Sequence, residues 1–165
     1  MSKRVVRLQL TSAGIDDAIR ELDEFKQWIV DRTKVFVEAL AAEGMNIASV
    51  KFEHATYDGD NDVSCSIEER GENKYAIVAT GKATLFIEFG TGVAYPDIHP
   101  AGQETGMVHG SWSKSEQGKG HWDDPNGWYY AHGKKTHGNP ANMSMYNTIR
   151  ELERQFEDIA RRVFV

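Results

Sequence analysis

Residues 83–92 read Ala-Thr-Leu-Phe-Ile-Glu-Phe-Gly-Thr-Gly. Leu85, Phe86, Ile87 and Phe89 form the densest apolar run in the chain. Branched and aromatic side chains suit a pleated, half-buried surface, so the run predicts a central strand. Apolar residues on both of its faces predict cover on both sides. Gly90-Thr91-Gly92 then permits backbone angles that a β-carbon forbids, and the chain can leave the sheet sharply. Glu88 sits between Ile87 and Phe89. It reads either as a solvent-facing or edge position of a period-2 strand, or as a general acid or base. No partner constellation stands near it in sequence, so the first reading is preferred.

Upstream the chain is periodic. Val6, Leu8 and Leu10 alternate with Arg7 and Gln9 and predict a short opening strand. Ile15, Ile19, Leu22, Phe25 or Lys26, Ile29, Thr33, Phe36 and Leu40 recur at three- and four-residue steps and predict a helix. Asp16 and Asp17 are expected in its first turn, where the dipole favours negative charge. Gly44 is its expected stop. Such a helix has roughly 28 residues and spans about 40 Å, long for a domain of this size. Trp28, Val30 and Val35 fall off the main stripe and suit a second contact or a wider core.

Four strand-like runs are expected next: 49–57, Val63-Cys65-Ile67, Tyr75-Ile77-Ala79, and 82–89, joined by turns into an antiparallel meander. Asp58, Asp60 and Asp62, with Glu69 at the twelfth place, resemble the start of a calcium loop. The sixth place is Val63, where that motif requires glycine, so a hairpin turn is the preferred reading.

The composition changes at Gly90. Residues 90–141 hold all four prolines, three of the four tryptophans, five of the six histidines and ten of the fifteen glycines. A loop this long is usually functional or disordered, and Trp112, Trp122, Trp128, Tyr129 and Tyr130 argue against plain disorder. Aromatics on a polar, glycine-rich segment suit a contact surface or a small satellite core. Met145, Ile149, Leu152, Phe156, Ile159 and Val163 then step 4-3-4-3-4 on a final helix, with Asn139 before Pro140, or Asn142, as its expected cap. The expected fold is α+β. A strand meander is packed by a long N-terminal and a C-terminal helix in a single domain, divided into residues 1–89, the excursion 90–141, and 142–165.

Composition narrows the function. A formal charge of −6 argues against a dedicated nucleic-acid binder. No long apolar run predicts a membrane span, and no signal peptide is expected. Cys65 is the single cysteine, which leaves no intrachain disulfide and no thiolate zinc cluster. It alternates with Val63 and Ile67 and reads as a small buried hydrophobe. His99, His109, His121, His132 and His137, with Asp97, Asp123 and Asp124, are a crowd of potential metal ligands, but none stand at helical ligand spacing. Phosphate loops and nucleophile elbows are absent. No catalytic residue, metal or cofactor is therefore assigned, and the weight moves to a structural or interaction role. A metal-dependent hydrolase using the loop histidines, or a ligand-binding module using the loop tryptophans, are the alternatives.

Two stretches carry a resemblance. One is Phe86-Ile87-Glu88-Phe89-Gly90-Thr91-Gly92. The other is Gly127-Trp128-Tyr129-Tyr130 through Thr136-His137-Gly138-Asn139-Pro140-Ala141-Asn142, then Met145-Tyr146-Asn147-Thr148. Together they resemble the tail-component, or tail-completion, proteins of long-tailed bacteriophages and prophages. That family shows a strand ending in Glu-Phe-Gly-Thr, a variable excursion, and a small Pro-Ala motif opening the last helix. Met143-Ser144-Met145 departs from the Pro-Phe-Met or Pro-Phe-Leu that usually precedes Tyr-Asn-Thr. The resemblance implies an α+β fold, no catalysis, and a ring at the head–tail junction of the virion, hexameric there and monomeric when free in the host cytoplasm. It implies the tail-tube protein and the head–tail connector or stopper as partners, with no membrane and no sequence-specific nucleic acid. Trp28 and the aromatics of the excursion are the expected contact residues.

Overall fold

The computed structural model describes residues 5–6, 9–55, 61–91, 99–101, 127–129 and 135–165. The elements run α1 (Ser12–Glu53), β1 (Ser64–Gly71), β2 (Lys74–Thr80), α2 (Thr84–Phe89), β3 (Trp128–Tyr129), β4 (Lys135–Thr136) and α3 (Ser144–Phe164). Helices pack on an antiparallel sheet, so the α+β class expected from the sequence is the one that forms.

α1 has 42 residues and is about 63 Å long. Thr11 caps it by accepting from the Gly14 N–H at 3.1 Å. Because the helix starts at Ser12, Asp16 and Asp17 lie one turn further in than expected. It also runs straight through Gly44, the expected stop. There the missing side chain makes room for a crossing, since a β-carbon on Gly44 would run into Ile77 of β2 and Leu152 of α3. The expected strand at 49–57 is helix as far as Glu53. Val50 is 52% exposed and Phe52 only 1%. Residues two apart thus face opposite ways, which a helix requires and a strand forbids. Asn61 closes the end, its amide donating to the carbonyls of Phe52 and Ala55. The opening strand does not form among the described residues. Leu10 sits 90% exposed at a bend just before the helix cap, and Leu8 lies outside the described residues.

β1 and β2 keep the alternation read from the sequence. Cys65 pairs with Ala79, Ile67 with Ile77, and Glu69 with Tyr75 across an antiparallel hairpin. The Tyr75 hydroxyl donates to Glu38 of α1 at 3.1 Å. Val63, Cys65 and Ala79 pack with Met145 against a core of Phe52, Ala55, Ala83 and Ile87. Cys65 is thus a half-buried side chain packed against the core, and its partial burial pushes the thiol above the ordinary cysteine value.

The largest correction falls on residues 83–92. The expected central strand is the short helix α2, and the four-strand meander reduces to the β1–β2 hairpin among the described residues. Asp62 explains the change. Its carboxylate accepts from the Lys82 N–H at 2.7 Å and the Ala83 N–H at 3.0 Å, so it caps α2 from twenty residues away. Ile87 then turns into the core beside Phe52. Local β-propensity loses to this packing.

The same contacts give a pH dependence. Amide donation from Ala83 and Lys82 holds the Asp62 carboxyl below its ordinary value. A depressed folded value contributes stability that is present above the ordinary value and lost as pH falls through the lowered one. Asp62→Asn is therefore expected to be less stable than wild type near pH 5, with the gap closing toward pH 2. Urea midpoints across that range measure it, and a constant gap would refute the assignment.

α3 has 21 residues and is about 32 Å long. It lies antiparallel along α1: Ser144 at its start reaches Lys51, and Phe164 at its end reaches Trp28. Its stripe buries Ile159 and Val163 as expected, although Ile149 and Phe156 stay largely exposed. No helix among the described residues is long and apolar enough to cross a membrane.

Candidate functional site

The last turn of α2 leaves carbonyls without intrahelical partners, and the first turn of α3 leaves amides without them. The structure sets these two ends against each other. The Asn142 N–H donates to Ile87 O at 2.8 Å, and the Met143 N–H to Glu88 O at 3.2 Å. Met143 adopts the left-handed conformation, φ 55°, and turns the chain into α3. Glu88 then reaches across. The Met145 N–H donates to its Oε2 at 2.7 Å, and the Tyr146 N–H to its Oε1 at 3.0 Å. Those are the second and third residues of α3, the amides that an N-cap side chain ordinarily serves. A carboxylate at that end also suits the helix dipole.

Glu88 is therefore neither solvent-facing nor on a strand edge, as expected from the sequence; it is 6% exposed. Neither expected asparagine caps α3. Asn142 donates its side-chain amide to Ser144 Oγ at 2.6 Å and to Lys51 O at 3.4 Å, tying the α3 entry to the end of α1. Lys51 returns an ion pair to Glu151 at 3.0 Å.

The flanking residues close the same clamp. The Thr91 N–H donates to Asn139 O at 2.8 Å, and the Asn139 N–H donates to Thr91 Oγ1 at 3.0 Å. Gly90 lies between, at φ 77° and ψ −177°, where a β-carbon would stand 2.7 Å from both Ala141 N and Asn139 O. Pro140 has no amide to donate and sits where this docked segment needs none.

His99 completes the site. Its Nε2 lies 2.9 Å from Glu88 Oε1, while its Nδ1 accepts from the Ala101 N–H at 3.1 Å. The two bonds together fit the neutral Nε2–H tautomer. The ring packs 4.3 Å from Phe89 and 5.7 Å from Tyr146. Arg150 lies over the Tyr146 ring at 5.2 Å and donates to its hydroxyl. Both Glu88 and His99 are buried. What the arrangement does chemically is hold three chain segments together.

Trp28 stacks on Phe25 at 5.7 Å and meets Phe164 edge-on at 6.1 Å. The backbone of Trp128 and Tyr129 pairs with Thr136 and Lys135. Trp112, Trp122, Tyr130 and Gly92 lie outside the described residues, as do His109, His121, His132, Asp97, Asp123 and Asp124. Among the described residues no three His, Cys, Asp or Glu side chains come together as a metal site. Asp58 and Asp60 also lie outside them, whereas Asp62 is committed to α2 and Glu69 to β1. The cap roles of Glu88 and Asp62 left no local signal, since each serves amides distant in sequence. Compared with known proteins, the chain matches no family model, no curated protein and no solved structure.

Proposed function

We propose that this chain is a structural virion subunit of a long-tailed phage or prophage. It completes the tail as a ring at the head-proximal end, between the tail-tube protein and the head–tail connector. One observation supports the reading above others. The two stretches that carry the resemblance, about fifty residues apart, form one clamp: Glu88, Gly90 and Thr91 hold the segment from Asn139 to Met145. Their polar atoms are taken up in joining helices, which suits a scaffold. The alternatives, a metal-dependent hydrolase or a ligand platform, depend mainly on residues outside the described ones.

Electron microscopy of particles from a phage or lysogen lacking this gene tests the reading. Full heads beside detached, headless tails are expected, with joined particles restored by a plasmid copy. Particles joined normally without the gene would overturn it.

A further inference from the structure

The ring of His99 is held at both nitrogens, by groups of opposite demand. Nε2 lies 2.9 Å from Glu88 Oε1, an acceptor, and Nδ1 takes the Ala101 N–H at 3.1 Å. The neutral ring with its proton on Nε2 satisfies both at once. An imidazolium satisfies only one, because both of its nitrogens are donors. A proton arriving from solvent attaches to the Nδ1 lone pair, where it sets N–H against N–H at the Ala101 amide. The Nε2–H keeps its place on the carboxylate, now as a charge-assisted bond.

The surroundings decide which contact yields. The His99 side chain is 4% exposed and that of Glu88 7%. Phe89 packs 4.3 Å from the imidazole and Tyr146 5.7 Å from it. Among the described residues, the charged and titratable groups facing the ring are Glu88 on α2 and Tyr146 on α3, with Arg150 over the Tyr146 ring. Glu88 is itself fixed by the Met145 and Tyr146 amides. The Nε2 side of the ring is thus anchored to the docked ends of two helices. On the Nδ1 side stands a turn at Pro100 and Ala101, outside any helix or strand, with Pro100 exposed. Such a turn gives way before two docked helix ends do.

We propose that the turn from His99 to Ala101 is an acid-released latch. One proton on Nδ1 detaches the Ala101 amide from the ring, while the ring stays on Glu88 and the α2–α3 clamp stays closed. Imidazole side chains are the ones that ordinarily gain a proton between about pH 8 and pH 5, so the latch responds to mild acid. The device does not depend on the role proposed above, and its test is separate from the particle experiment.

Nuclear magnetic resonance of the full chain between pH 8 and pH 5 tests it. At pH 8 the nitrogen shifts of the His99 ring are expected to show the Nε2–H tautomer. As the ring charges, protection of the Ala101 amide, corrected for the intrinsic pH dependence of exchange, is expected to fall about tenfold, the equivalent of one lost hydrogen bond. The Met145 and Tyr146 amides are expected to keep their protection. His99→Asn is the control. A side-chain oxygen two residues before the amide accepts in the manner of an Asx turn, and it does not titrate. Its Ala101 protection is expected to be the same at pH 8 and pH 5. A His99 ring that stays neutral throughout overturns the latch. So does a ring that charges while Ala101 stays protected, or one whose charging opens the Met145 and Tyr146 amides as well. An asparagine variant with the wild-type pH response overturns it too, since the trigger would then lie elsewhere.

Discussion

Glu88→Ala is expected to destabilise the fold by about 3–5 kcal/mol. The carboxylate serves the amides of Met145 and Tyr146 and the His99 ring at once. Deleting it strands the helix amides without acceptors inside the protein, and a buried unsatisfied donor costs about 1–3 kcal/mol. Against a typical domain stability of about 5–15 kcal/mol, that loss approaches unfolding. Glu88→Gln keeps one acceptor but sets an NH2 group against an amide donor, so about half the effect is expected. Urea denaturation followed by circular dichroism measures both variants. Hydrogen exchange adds a local readout: the Met145 and Tyr146 amides should exchange faster in the alanine variant than in wild type. A midpoint unchanged from wild type would show that the cap does not hold α3.

Gly90→Ala is expected to cost about 3 kcal/mol or more, which corresponds to a fall in melting temperature of about 6–12 °C. Two effects add. The backbone at φ 77° and ψ −177° is open essentially to glycine alone. The added carbon would also stand within 2.7 Å of backbone atoms of Ala141 and Asn139, which cannot move aside as a side-chain tip can. Gly71→Ala is the control. Gly71 has φ 130° but nothing within 4 Å of its notional β-carbon, so only the backbone term of about 1–2 kcal/mol is expected there. If the two variants melt together, the docking of 139–142 on Gly90 contributes nothing. If Gly90→Ala melts well below Gly71→Ala, the clamp is a principal tertiary link between α2 and α3.

These two variants probe what local pattern could not reveal. The alternation of Cys65 and Ile67 opposite Ala79, Ile77 and Tyr75 was legible because a hairpin's pairing is set within twenty residues. The α3 stripe was legible because its period is internal to one helix. Gly44 misled because a glycine inside a helix and one that ends it look alike until Ile77 and Leu152 are brought against it. Residues 84–89 misled for the same kind of reason: six residues, four of them apolar, fit a strand or a turn and a half of helix, and Asp62 decided between them. The candidate site was visible only as composition. Glu88, Gly90, Thr91, Asn139 and Pro140 drew notice through a resemblance, while His99 stood among other loop histidines with nothing to single it out.

The sequence by itself determined the α+β class, the alternation of the two hairpin strands, the helical stripe of α3 and the helical seam of α1, since each follows from side-chain period and short-range geometry. Tertiary structure alone decided that α1 continues through Gly44, that Thr84–Phe89 is a helix, and that a buried carboxylate from one element caps another. The first depends on Ile77 and Leu152 packing against Gly44, and the others on orphan amides finding acceptors twenty to sixty residues away; such partners exist only once the chain has folded around them.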